Sequence, residues 1–113
     1  MNKSKETAFA LIAKAGEARS YAFEALDKAK ELDFDEAASL LDKAEELLNE
    51  AHQVQFQILS QETSGTCDVE LSFIMVHAQD HLMTAILAKE LIYEQIEVKK
   101  EMDAFRKQMG GNV

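Results

Sequence analysis

FIMVHAQDHLMTAIL, residues 73–87, is the stretch that decides the fold of this 113-residue chain. Its apolar residues recur at intervals of three and four, which is typical of an α-helix. They form two stripes on different sides of that helix, whereas a helix in a monomeric bundle needs only one. One stripe consists of Leu71, Met75, Ala78, Leu82 and Ile86, and the other of Phe73, Val76, Met83, Leu87 and Leu91. The second stripe predicts self-association, most simply with another copy of the chain.

Upstream of this stretch, the sequence predicts two further helices. The chain has no proline, no tryptophan and only four glycines, a composition typical of long helices. Asp33, followed three residues later by Glu36, is a capping-box-like start. It separates a helix at about 5–32 from a helix at about 34–61. Because the joint between them is short, we expect these two helices to be antiparallel neighbours.

The second joint lies in QETSGTCD, residues 61–68, where turn-forming residues cluster. Thr66 or Asp68 can cap the third helix, which we expect at about 67–107. The chain is long enough for one modest core and shows no domain boundary. The predicted fold is therefore all-α, an antiparallel three-helix bundle with residues 1–113 in a single domain.

The first two helices each carry an apolar face. In helix one, Gly16 lowers the intrinsic helix propensity, so we expect it to permit close approach of a neighbouring helix. The apolar or small residues of helix one are Ala8, Phe9, Leu11, Ile12, Ala15, Gly16, Ala18, Ala22, Phe23, Ala25 and Leu26. Helix two is expected to bury Ala37, Leu41, Ala44, Leu48, Ala51, Gln55 and Ile58 or Leu59.

Charge and composition exclude several classes of protein. With a net charge of −9, the chain has no means of neutralising many phosphates, so we expect no nucleic-acid partner. The N-terminal region lacks the apolar core of a signal peptide, and no stretch reaches the roughly 18 apolar residues of a membrane span. The single cysteine, Cys67, fits a reducing compartment and has no basic neighbour to activate it. These features predict a soluble cytoplasmic protein.

Asp80 falls within the second apolar stripe of helix three. If that stripe is an interface between copies, symmetry brings one Asp80 per subunit close together, and the carboxylates then need protons or a shared cation such as Mg²⁺. Alternatively, Asp80 lies at the edge of the stripe and stays hydrated.

His77 and His81 are one turn apart on the same side of helix three, and three interpretations stay open. They are a hydrogen-bonded structural pair, or ligands of a zinc site with Asp80 or His52 as the third ligand, or a site of phosphoryl transfer to a neutral imidazole. His52 itself is more typical of a helix surface or an interface.

VHAQDHLMTAI, residues 76–86, resembles the signature of the lactose/cellobiose-type enzyme IIA of the bacterial phosphoenolpyruvate-dependent sugar phosphotransferase system. AGEARSYAFEAL, FDEAASLLDKAEELLNEAHQVQ and LSFIMVHAQDH are also similar to that family. The resemblance implies a homotrimer of three-helix bundles. It also implies that His77 accepts a phosphoryl group from HPr and passes it to a cysteine of enzyme IIB. His81 lies beside this site, without a definite role.

The resemblance further implies that Asp80 is associated with one structural Mg²⁺ shared between the subunits of a trimer. It also implies that the chain reaches the membrane only indirectly, through enzyme IIC, and that the sugar is a β-linked disaccharide of the lactose, cellobiose or chitobiose class. The alternative is a non-catalytic helical interaction module with structural or metal-binding histidines.

Overall fold

A computed structural model describes residues 3–65 and 73–110, which form three α-helices. They are α1 (Lys3–Lys30), α2 (Phe34–Ser64) and α3 (Phe73–Gln108). The first helix ends two residues earlier than the sequence predicts, and the second ends three residues later. The predicted capping residues of the third helix, Thr66 and Asp68, lie outside the described residues, as does Cys67.

The core contact of α1 is a straight line of small side chains. We call this set the α1 line: Ala8, Leu11, Ala15, Ala18, Ala22, Ala25 and Ala29, all of them buried. The spacing alternates between three and four residues, so the line keeps one orientation along the helix. Because six of the seven side chains are methyl groups, the neighbouring helices can pack close to the α1 backbone.

α3 presents a matching inner line to the bundle, made of Met75, Ala78, Leu82, Ala85, Ile92 and Ile96. This confirms the first predicted stripe for the residues that the structure describes, with Ile86 half-buried at its edge. The line predicted for α2 is also confirmed, since Ala37, Leu41, Ala44, Leu48, Ala51 and Gln55 are buried. α1 packs extensively against both other helices, whereas α2 and α3 contact each other much less.

The bundle is a rod measuring 63 × 25 × 19 Å. Its radius of gyration is 18.1 Å, against about 13 Å for a compact chain of this length. A rod of three helices has much of each helix on its surface. No helix within the described residues is long and apolar enough to cross a membrane.

The joint between α1 and α2 is a Schellman-type helix end. The Asp33 N–H donates to the Lys28 carbonyl, and the Leu32 N–H donates to the Ala29 carbonyl, both at 2.9 Å. Leu32 has a φ of 66°, the left-handed conformation that glycine normally supplies at this position. The Asp33 side chain then caps α2, because its Oδ1 accepts the Glu36 N–H at 3.2 Å. The predicted start of α2 at Asp33 is confirmed as a side-chain cap, but the reciprocal bond of a full capping box is not made, because the Asp33 N–H donates to Lys28.

Two details of α1 differ from the sequence prediction. Phe9 and Phe23 keep 49% and 51% of their surface exposed, so they flank the core instead of forming it. The α1 line already fills the space between the helices with methyl groups. A Cβ added at Gly16 would meet nothing within 4 Å, so the expectation that this glycine permits close packing is wrong.

Candidate functional site

The two histidines of α3 lie side by side near the start of the described helix. His77 is exposed and His81 is partly buried. Their ring centroids are 4.7 Å apart, and the planes meet at 68°, an edge-to-face contact. The predicted juxtaposition of the two histidines is therefore present. His77 has the more accessible ring of the pair, with a second imidazole against it.

Thr84 continues this side of α3 one turn after His81. Its Oγ1 donates to the His81 carbonyl at 3.1 Å. A threonine hydroxyl that donates to a carbonyl of the preceding turn has its hydrogen-bonding need met within the helix. This hydrogen bond also fixes the position of the Thr84 hydroxyl close to the histidine pair.

Gln79 connects the histidine-bearing turn to α2, a role that the sequence analysis did not foresee. The Gln55 Nε2 donates to the Gln79 Oε1 at 2.5 Å and lies 3.5 Å from the Met83 Sδ. The Gln79 Nε2 in turn lies 3.8 Å from the Met75 Sδ. A periodic pattern predicts that Gln55 faces inward, but it does not reveal which residue of another helix lies opposite.

The rotation of α3 places the histidines on the side away from α2. Since Gln79 faces α2, His77, two residues earlier, is turned from it by about 200°. At about 100° per residue, six side chains fall within about 40° of one another on that side. We call them the histidine flank: His77, His81, Ala88, Gln95, Lys99 and Arg106.

The histidine flank contains no carboxylate between Phe73 and Gln108, although the whole chain has a net charge of −9. The acidic residues of this helix point elsewhere: Asp80, Glu90, Glu94, Glu97, Glu101 and the inward-facing Asp103. Asp80 is the nearest of these carboxylates to His77, because residues three apart are neighbours on a helix surface.

Asp80 lies on a different side of α3 from the histidines, as the helical wheel predicts. It is exposed, in a row that we call the outer stripe: Val76, Asp80, Met83, Leu87, Leu91, Glu94, Val98, Met102, Phe105 and Met109. The apolar members keep between 53% and 66% of their surface exposed. The second apolar stripe of the sequence is thus uncovered in the single chain and continues to the end of the helix.

His52 is not part of the histidine site. It lines a groove between α2 and α3 with Leu48, Ile86 and Lys89, on the opposite side of α3. Within residues 3–65 and 73–110, no three histidine, cysteine or acidic side chains come close enough to hold a metal ion. A zinc site assembled from His77, His81 and either Asp80 or His52 is therefore absent from this part of a single chain.

Comparison with protein families identifies one match over most of the chain. The model of the lactose/cellobiose-specific IIA subunit of the phosphotransferase system matches residues 6–100. The N,N'-diacetylchitobiose-specific EIIA component of Escherichia coli K12 is 43% identical over 100 residues, covering 88% of this chain and 85% of the relative. The lactose-specific EIIA component of Streptococcus mutans is 41% identical over 102 residues, covering 88% of this chain and 97% of the relative.

Solved structures agree with these relatives in fold. The crystal structure of the cellobiose-specific enzyme IIA of Bacillus anthracis is 42% identical, with a TM-score of 0.86 over 92% of this chain and 94% of that one. The IIA(chitobiose) chain of an E. coli complex with HPr is 38% identical, with a TM-score of 0.76 over 90% of this chain and 98% of that one.

Proposed function

This chain belongs to the lactose/cellobiose-specific IIA family of the phosphotransferase system, and we propose that His77 is its phosphoryl carrier. In this proposal His77 accepts the phosphoryl group from phospho-HPr and passes it to a cysteine of enzyme IIB. The observation that carries the assignment is the exposed His77 ring, which is held against the His81 ring. The membership of the family makes the chain a phosphotransferase component, and the residue-level roles are our proposal.

The chemistry requires an unprotonated ring nitrogen on His77. This nitrogen attacks the phosphorus as the bond between phosphorus and the donor atom breaks, so one bond to phosphorus replaces another. In the second half of the cycle, the IIB thiolate attacks and the bond to His77 breaks. The protein contributes mainly positioning and stabilisation of charge on the phosphoryl oxygens.

His81 is proposed to support the reaction without carrying the phosphoryl group. It is the less accessible of the two imidazoles, and its contact with His77 restricts the orientation of the acceptor ring. Its ring nitrogens can donate to an anionic group, whereas the Thr84 hydroxyl already donates its proton to the His81 carbonyl.

HPr is the proposed donor because a related IIA chain has been solved in complex with HPr. The match covers 90% of this chain and 98% of the related chain. The exposed position of His77 leaves the acceptor ring accessible to a folded protein. Transport itself would be carried out by enzyme IIC, so the proposed place of this chain is the cytoplasm, next to a membrane component.

Self-association is the second element of the proposal. The outer stripe leaves large apolar side chains uncovered along α3, and a homotrimer would bury them against equivalent stripes. Asp80 would then meet the Asp80 side chains of the other copies. Carboxylate oxygens suit Mg²⁺, which would neutralise these like charges when bound.

The transported sugar is proposed to be a β-linked disaccharide of the lactose, cellobiose or chitobiose class. Among the relatives compared above, those named for lactose, cellobiose and chitobiose are 41%, 42% and 43% identical to this chain, so these three do not single out one sugar.

The test is phosphorylation by phosphoenolpyruvate, enzyme I and HPr with radiolabelled donor. We expect one acid-labile phosphate per chain and none on a His77→Gln variant that keeps its helical circular dichroism. His52→Gln is the matched control, because that histidine lies on α2 away from the site, and it should be labelled normally. Labelling that survives His77→Gln would remove His77 from this role. Absence of labelling in the native chain would favour an interaction module instead.

A further inference from the structure

A groove remains between the first half of α2 and the second half of α3, because these two helices contact each other much less than either contacts α1. We call it the Tyr93 groove, with Leu41 and Asp42 of α2 and Tyr93 and Ile96 of α3 among its lining residues. Its volume is about 370 Å³. Sites for small molecules are typically cavities of roughly 300–1,000 Å³.

Two contacts fix which residues of α2 and α3 face each other. Gln55 of α2 bonds to Gln79 of α3. Ten residues earlier in α2, Glu45 pairs with Lys89, which comes ten residues later in α3. The two helices are therefore antiparallel and keep one register between these contacts.

The same register places Asp42 and Tyr93 at nearly the same height on the two walls of the groove. The floor includes Leu41 and Ile96, which are 9% and 2% exposed. Tyr93 keeps 47% of its surface exposed, so its ring is accessible from the groove. The groove thus combines an apolar floor, an aromatic wall and a carboxylate.

The two lysines that line the groove are already paired. Lys89 of α3 pairs with Glu45 of α2, and Lys100 pairs with Glu97 at 3.1 Å. These four charges balance one another, so together they give the groove no net charge.

Asp42 is the remaining carboxylate of the groove. It has no ion pair within residues 3–65 and 73–110. The adjacent Lys43 does not supply one, because its Nζ lies over the Tyr21 ring of α1, 5.6 Å from the ring centroid. The groove therefore carries one uncompensated negative charge.

We propose that the Tyr93 groove binds a small organic monocation with an apolar body, of the arylalkylammonium class. In the complex, the Asp42 carboxylate accepts hydrogen bonds from the ammonium group, and the Tyr93 ring attracts the same cation. The apolar body covers Leu41 and Ile96 and excludes water from the floor. An anionic ligand is repelled by Asp42, so the charge of the groove selects the sign of its ligand.

The Tyr93 groove is separate from the histidine site. Tyr93 follows His77 by sixteen residues on the same helix, about 24 Å along its axis. Tyr93 also faces the groove beside α2, whereas His77 is turned away from α2. Binding at the groove therefore does not depend on phosphoryl transfer by His77.

Titration of the full chain with phenethylammonium, followed by heteronuclear NMR, tests the site. We expect saturable shifts at the residues that line the groove, with a dissociation constant on the order of 1–10 mM. Phenethyl alcohol has the same apolar body without the charge and should bind about fivefold more weakly. Equal affinities for the two probes, or shifts only outside the groove, would overturn the proposal.

Variants of the two walls make the test specific. Asp42→Asn removes the charge with little change in shape, and phenethylammonium should then bind no better than the neutral alcohol. Asp27→Asn, at an exposed carboxylate of α1, is the matched control and should bind phenethylammonium normally. Ala38→Phe, on the α2 wall opposite Ile96, fills the groove and should abolish binding of both probes while helical circular dichroism is retained.

Unchanged affinity of the Asp42→Asn variant for phenethylammonium would contradict the proposed role of the carboxylate and overturn the proposal. Binding that survives Ala38→Phe would place the ligand elsewhere. A lysine-containing peptide is titrated in parallel, because its side chain offers the same ammonium group. Binding of the peptide without binding of phenethylammonium would assign the groove to a protein partner and also overturn the proposal.

Discussion

Gln55 of α2 donates a hydrogen bond of 2.5 Å to Gln79 of α3, and this amide pair is a polar connection between α2 and the histidine-bearing turn. Gln79 lies between His77 and His81 in sequence but faces the other way. Gln55 is only 9% exposed, so little water is available to replace its partner.

Replacing one member of this pair should cost more than replacing both. Gln55→Leu or Gln79→Leu leaves an amide in a largely buried place without its partner, which typically costs about 1–3 kcal/mol. The double variant removes both amides and should be close to the native chain. Urea unfolding at a fixed protomer concentration gives the coupling energy, because association also contributes to apparent stability. Additive single effects would mean that the bond contributes nothing specific.

His81→Gln should slow phosphorylation without abolishing it. The acceptor His77 is still present, but it loses the ring that restricts its orientation at 4.7 Å. Loss of orientation at a reacting group commonly costs about ten- to a hundredfold in rate. The initial rate of acid-labile phosphate formation measures the effect, and His52→Gln serves again as the control. An unchanged rate would show that His81 has no part in the transfer.

Asp80→Leu should preserve or strengthen association. It replaces a charge in the outer stripe with an apolar side chain that fits between Val76 and Met83. Met83→Glu makes the opposite change at a neighbouring position and should weaken association. Sedimentation velocity distinguishes the outcomes. Monomers after Asp80→Leu would count against a place for Asp80 between subunits, and dissociation of the native protein by a chelator would instead indicate an essential metal.

Leu32→Gly should be more stable than Leu32→Ala by about 1 kcal/mol. Both variants remove the same leucine contacts, so their difference isolates the backbone. Glycine adopts a φ of 66° without the strain that a Cβ brings, and this gain exceeds its larger entropy loss on folding. Thermal unfolding of the two variants measures the difference. Equal stabilities would show that the helix end tolerates a side chain without cost.

The sequence predicted most of what depends on one helix at a time. The wheel of α3 separated Asp80 from the histidines and distinguished the buried stripe from the exposed one, because both follow from helical period alone. It did not predict the Gln55–Gln79 contact, since that depends on how far one helix is shifted along another. Phe9 and Phe23 were placed on the apolar face for a similar reason. The helical period gives the direction in which a side chain points, but it does not show how wide the contact between two helices is.

The two apolar rows of α3 have different periods and therefore favour different supercoils of the helix. Its inner line repeats every 3.5 residues, from Met75 to Ile96, whereas its outer stripe repeats every eleven residues over three turns, about 3.67 residues per turn. The first spacing favours a left-handed coil and the second a right-handed one, with the ordinary helix between them. A change in α1 that tightened the winding of the bundle would therefore misalign the outer stripe. The inner line and the outer stripe of α3 therefore favour opposite supercoils of the same helix.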